Sequence, residues 1–207
     1  MIFGTYFDLR LRPDPGVPDW DRLGRMLRIV HVASAQAGAQ AGAMGDYMGD
    51  AQSAAPFAIA FPDYMSEGNF TMGQRLRVFT QDAQGAEALY DGIEQAPMAA
   101  DLAEGSRVRR APQGVAEFEA YRMHRLPSAP SKNGAMTLDV KRELHAQTRV
   151  RRLEQQQVLP FVRMRSSTGH GFRLVIERIR ADPAQQGKPN GYGLSRQTQI
   201  VALPVLD

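Results

Sequence analysis

Four histidines, His31, His124, His145 and His170, are the candidates for proton transfer near neutral pH, since an imidazole titrates at about 6.5 when unperturbed. No two of them stand at HxxxH spacing, and no cluster of carboxylates accompanies them. Neither a zinc site nor a divalent-metal nuclease site is spelled out. Cysteine is absent, which removes thiolate nucleophiles, disulfides and cysteine-based metal sites together. No phosphate-cradling glycine loop follows a strand. If the chain is an enzyme, metal-free acid–base chemistry with no cofactor is the leading option. RNA suits it: its own 2′-hydroxyl is an internal nucleophile, so a protein need supply only a base, an aligned backbone and some stabilisation of the transition state. The stretch RSSTGHGFRL, residues 165–174, places Ser166, Ser167, Thr168 and His170 among glycines between two apolar runs. By itself it reads as a hairpin loop, in which Ser, Thr and Gly are ordinary turn residues.

Charge points to a partner. Residues 1–100 hold 7 Lys/Arg and 12 Asp/Glu, net −5, whereas residues 101–207 hold 18 and 10, net +8. Of the 25 basic residues 22 are arginine, whose planar fork grips phosphates and stacks on bases as lysine cannot. Compositional bias alone can favour arginine over lysine, but clustering in one half marks a nucleic-acid surface. No apolar run approaches the roughly 18–20 residues of a membrane span, and MIFGTYFDLR turns polar at once. A cytoplasmic protein with no membrane partner is expected, monomeric when alone.

The elements that must position these groups follow from periodicity. Residues 3–11 alternate as a strand ended by Pro13, Pro15 and Pro18. Asp19 can cap a helix over 19–36, with Trp20, Leu23, Leu27 and Val30 at helical spacing. Residues 37–55 are Ala/Gly-rich and read as a loop or insertion. Strands are expected at 57–62 and 75–80, a short helix at 82–91 and a returning strand at 102–110. This βαββαβ order is the ferredoxin-like platform, which does not by itself fix function. Residues 111–136 show little periodicity. Thr137 can cap a helix to about 156, on which Lys141, His145, Arg149 and Arg152 share one face. Strands at 159–165 and 172–180 flank the hydroxyl-rich loop. The reading is therefore α+β: a ferredoxin-like domain at 1–111, a linker at 112–136, and a divergent, arginine-rich RNA-binding half at 137–207.

Several stretches, in order from end to end, carry a resemblance. They are YFDLRLRPDP at 6–15, His31 late in the first helix, FPD at 61–63 and GQRLR at 73–77. LPFV at 159–162, Arg165-Ser166, Thr168-Gly169, FRL at 172–174 and YGLS at 192–195 complete the set. The chain resembles the subtype I-F CRISPR RNA-processing endoribonucleases. The resemblance implies a metal-independent enzyme that binds the CRISPR repeat hairpin and cuts the transcript at the 3′ base of the stem. It further implies a cyclic-phosphate product and an enzyme that stays bound as a subunit of the type I-F surveillance complex.

Residue by residue, the resemblance makes His31 the general base on the 2′-hydroxyl. Ser166 would hold the nucleophilic hydroxyl or the scissile phosphate, with Ser167 as the alternate, and Tyr192 would orient the site. Phe172 would stack on the terminal base pair, next to the cut. The helix 137–156 takes the place of an arginine-rich helix that enters the hairpin's major groove, with Lys141, Arg142, His145, Arg149, Arg151 and Arg152 as candidate contacts. Arg122 and Arg125 follow Tyr121 as base readers, with Ser128 near the position where the family carries a glutamine. Lys132, Arg165 and Arg173 complete the expected RNA-binding set, and His170 is a loop residue near phosphate. The alternative left open is a non-catalytic hairpin-binding subunit of a CRISPR or transposon-linked effector complex.

Overall fold

The computed structural model describes residues 3–40, 56–127, 137–165 and 169–206. The N-terminal elements are β1 (Thr5–Leu11), α1 (Asp19–Gln40), β2 (Phe57–Ala60), β3 (Arg75–Thr80), α2 (Ala83–Glu94), α3 (Ala99–Leu102), β4 (Ala103–Gly105) and β5 (Arg109–Arg110). Strands β2-β3-β1-β4 form a sheet in that order, every pair antiparallel, and β5 also pairs with β1. Helix α2 begins where a cap is written: the Asp82 carboxylate accepts from the Gly85 N–H at 2.7 Å.

Two expectations change in this half. The helix read to residue 36 runs to Gln40, because alanine is the strongest helix former and carries it into the Ala/Gly-rich stretch. The rest of that stretch, 41–55, lies outside the described residues. The returning strand at 102–110 is broken into β4 and β5. The break has a local cause: the Ser106 hydroxyl takes the Asp8 N–H at 2.9 Å, a bond that a backbone carbonyl makes in a continuous ladder.

The second sheet contains β6 (Phe118–Met123), β7 (Phe161–Arg165), β8 (Gly171–Arg180) and β9 (Leu203–Pro204), in the order β7-β8-β6-β9, again antiparallel. Strand β6 falls inside 111–136, which periodicity left irregular. Its pattern is masked by charge: Glu119 and Arg122 pair with Arg178 and Glu177 on the adjacent β8, at 3.8 and 2.6 Å. Helix α4 (Leu138–Gln157) precedes β7 and buries none of its residues.

One apolar cluster joins the two sheets, running from Phe7, Leu23 and Phe57 to Tyr121, Val162, Ile176 and Leu203. Inside it Arg77, 2% exposed, makes a two-pronged pair with Asp8, its cross-strand partner, at 2.7 and 2.9 Å. Its remaining nitrogen donates to the Leu206 carbonyl at 2.7 Å, so the guanidinium pins the C-terminal segment to the first sheet. Helix α1 lies against β7. A Cβ at Gly24 would collide with the Arg163 carbonyl, so glycine is required there for the two backbones to touch.

Candidate active site and nucleic-acid interface

Helix α1 and β7 run in the same direction. The Trp20 ring meets Phe161 at 5.8 Å between centroids, and one turn later Gly24 meets the Arg163 backbone. Continuing along both, the end of β7 at Arg165 and the half-buried His31 lie toward the same end of α1. Ser166 and Ser167 follow Arg165 and lie outside the described residues.

His31 is fixed by a loop from the far end of the chain. Its Nδ1 stands 2.6 Å from the Gly191 carbonyl oxygen. A carbonyl only accepts, so Nδ1 carries the proton and Nε2 keeps the lone pair of the neutral ring. Tyr192 packs on the imidazole with centroids 5.0 Å apart and a 34° tilt. The structure therefore brings together two of the three residues expected to do chemistry.

Asn190, which sequence reasoning missed, organises this loop. It is 3% exposed, and its side-chain oxygen accepts from the N–H groups of Tyr192 and Leu194 at 2.9 and 3.1 Å. Its backbone N–H donates to Leu194 O and its carbonyl accepts from Gly193 N, both at 2.8 Å. Gly193 has φ +75°, and a Cβ there would stand 2.6 Å from the Phe57 ring. The loop is tied to β2 by Ile59 N–H to Gly193 O at 3.0 Å, and to β6 by Ser195 N–H to Tyr121 O at 2.8 Å. The signal was legible: Asn before Gly-Tyr-Gly is an Asx-turn signature.

Helix α4 is held to the body through its C-terminal half. His124, its side chain fully buried, donates from Nε2 to the Arg152 carbonyl at 2.9 Å and accepts at Nδ1 from the Arg152 guanidinium at 3.1 Å. Glu177 binds Arg122 at 2.6 Å and Arg152 at 3.5 Å. Arg149 donates to the Pro127 carbonyl at 3.0 Å. Two expected RNA contacts, Arg122 and Arg152, thus also belong to a clasp that seats the helix.

Beside the clasp opens a cleft of about 560 Å³, lined by Arg125, Thr148, Arg152, Asn190, Ser195 and Arg196. It joins the basic face of α4 to the loop that holds His31. Lys141 and His145 lie on that helix face, and the buried Nε2 of His145 has no hydrogen-bond partner among the described residues. Arg151 and Arg122 line a separate cleft of about 360 Å³ with Glu177. Arg142 is exposed and pairs with Asp139 at 3.5 Å. Ser128 and Lys132 lie outside the described residues.

On β8, Phe172 is half-buried and packs on the edge of the core opposite Met164. Arg165 and Arg173 are exposed, as is His170. Among the described residues, no three of His, Asp and Glu gather closely enough to hold a metal ion, and no helix is long and apolar enough to cross a membrane.

A family model described as CRISPR-associated protein (Cas_Csy4) matches residues 6–205. Comparison with curated proteins finds no match.

Proposed function

Because the chain belongs to the Cas_Csy4 family, the type I-F CRISPR RNA-processing endoribonucleases, we propose that it is a metal-independent nuclease that cuts the CRISPR repeat hairpin at the 3′ base of its stem. The observation that carries this reading is the pairing of His31 Nδ1 with the Gly191 carbonyl. A histidine held in that way offers Nε2 as a base of defined orientation.

In the proposed step Nε2 takes the proton of the 2′-hydroxyl. The 2′-oxygen then attacks the adjacent phosphorus, the bond from phosphorus to the 5′-oxygen breaks, and the departing oxygen is protonated. The products are a 2′,3′-cyclic phosphate and a 5′-hydroxyl. Ser166, or Ser167, holds the reacting ribose or phosphate. Tyr192 keeps the imidazole in plane, and Phe172 marks the end of the stem.

Arg125, Arg149, Arg152, Lys141 and His145 take the hairpin's phosphates, while Arg165 and Arg173 serve the strand near the cut. The antiparallel β2-β3-β1-β4 order with its helices supports a ferredoxin-like N-terminal domain over 1–111. Residues 137–207 form the RNA-binding half, and the connecting stretch lends β6 to its sheet. The cut hairpin stays bound, and the protein joins a type I-F surveillance complex in the cytoplasm.

Incubation with the cognate repeat RNA in EDTA tests the reading. One cut at the 3′ base of the stem, with a cyclic-phosphate end, is the expected result. Tight binding with no cut would instead assign a non-catalytic hairpin-binding subunit.

A further inference from the structure

The outer face of the β7–β8 hairpin carries more positive charge than its fold needs. Arg163 stands directly opposite Arg173 in the strand register, and Arg165 opposite Gly171. Like charges directly opposite each other weaken a strand pair. All three arginines are exposed, and none makes an ion pair with a carboxylate among the described residues.

Aromatic rings are interleaved with them. The Arg173 guanidinium carbon lies 3.7 Å from the Phe161 ring centroid. Phe161 meets Trp20 at 5.8 Å with a 30° tilt, and the Arg163 guanidinium carbon lies 5.9 Å from Trp20. The result is a row of arginine, phenylalanine, tryptophan and arginine across the start of α1 and the outer side of β7. Such a row hides part of the rings from water and leaves the cations facing outward.

This composition fits a flexible polyanion with stackable bases. Guanidinium groups bind its phosphates, and ring edges and guanidinium planes accept its bases without sequence preference. An acidic protein surface needs the charges but not the rings. The row also has a direction. It leads away from the end of β7 that lies toward His31, with Trp20 some 16 Å from His31 along α1 at about 1.5 Å per residue.

We propose that Trp20, Phe161, Arg163 and Arg173 bind the unpaired RNA that continues 3′ of the cut. This rests on the nuclease reading above for the position of the cut. The face then holds the downstream strand taut across the site, so the transcript is engaged on both sides of the bond to be broken.

Trp20 is the single tryptophan of the chain and reports occupancy of the face directly. The probes are repeat hairpins with a 2′-deoxy nucleotide at the cut, which removes the nucleophile. One ends at the stem, one extends 3′, and one extends 5′ by roughly six nucleotides, within the about 4–16 that single-stranded sites cover.

The 3′-extended RNA should quench Trp20 fluorescence and bind about tenfold tighter than the stem alone. Arg163→Gln should abolish that gain and lower the salt slope by about one. The unchanged Kd for the stem alone certifies that the variant is folded. No gain from the 3′ extension, an equal gain from the 5′ extension, or an equal loss on stem and extended RNA would overturn the assignment. Quenching by a polyglutamate peptide without quenching by RNA would overturn it in favour of an acidic protein partner. Cleavage of an all-ribose hairpin is scored separately. Its failure would sink the nuclease reading and leave the fluorescence result standing.

Discussion

His31 Nδ1 and the Gly191 carbonyl oxygen lie 2.6 Å apart although 160 positions separate the two residues. Where the imidazole serves as base, its removal should reach the chemistry and spare the grip on RNA. His31→Ala is expected to lower single-turnover cleavage by roughly 10²–10⁴-fold, the usual worth of a positioned acid–base group, with hairpin Kd within about twofold. Equal loss of binding and cleavage would make His31 a structural residue.

Asn190 acts one step behind that pair. Asn190→Ala removes the acceptor of two N–H groups at Tyr192 and Leu194, a loss of about 1–3 kcal/mol when such groups are buried. The expected readout is a change in the His31 tautomer by ¹⁵N NMR together with slower cleavage. Asn190→Asp keeps the acceptor and should restore the Nδ1–H form. An unchanged tautomer in Asn190→Ala would refute the positioning role.

Glu119 makes stability depend on pH. Burial raises its carboxyl above the usual range, against the opposing pull of the Tyr121 hydroxyl, 2.5 Å away, and of Arg178. A raised folded pKa means the fold favours the protonated acid. That contribution is complete below the unfolded pKa of about 4.3 and is lost as pH rises through the folded value. Glu119→Gln should therefore gain stability relative to the parent protein between acidic and neutral pH, read from urea midpoints. A pH-independent difference would contradict this.

Asp8 and Arg77 bind the first sheet to the C-terminal segment. Asp8→Ala strands a guanidinium that is 2% exposed, a change that costs about 3–5 kcal/mol in buried pairs. Urea denaturation should show a loss of this order. A loss below about 1 kcal/mol would mean that water reaches Arg77.

The clasp on α4 can be opened at His124. His124→Leu removes both bonds to Arg152 and should raise amide exchange along α4 while leaving β1 and β3 protected. Hairpin affinity should fall with it. Faster exchange with unchanged affinity would remove α4 from the RNA interface.

Legibility in the sequence followed the number of neighbours that each segment needed. Strand β3 and the helices α1, α2 and α4 were readable because period and length act locally, although Asp19 lies inside α1 as its first residue and the Thr137 side chain makes no capping bond to α4. Strand β6 was not, since Glu119 and Arg122 look solvent-bound until Arg178 and Glu177 appear beside them. The break after Gly105 depends on one hydroxyl, Ser106, that nothing nearby predicts. His31 and Tyr192 could be named from the resemblance, but their contact depends on Asn190 folding its loop and on Ile59 receiving it. Arg163 carries no signal of its own in the sequence, because its register against Arg173 exists only between strands.

The joining of His31 to Gly191 also sets an order of events during synthesis. Helix α1 can dock once the first sheet has been made, yet His31 lacks its acceptor until 160 further residues have followed it. At about 5–20 residues per second, the interval between the two is on the order of ten seconds or more. Nascent chains therefore carry an unoriented imidazole, and truncated products that end before residue 190 cannot complete the pair. The pair closes only when a loop 160 positions downstream folds onto the helix.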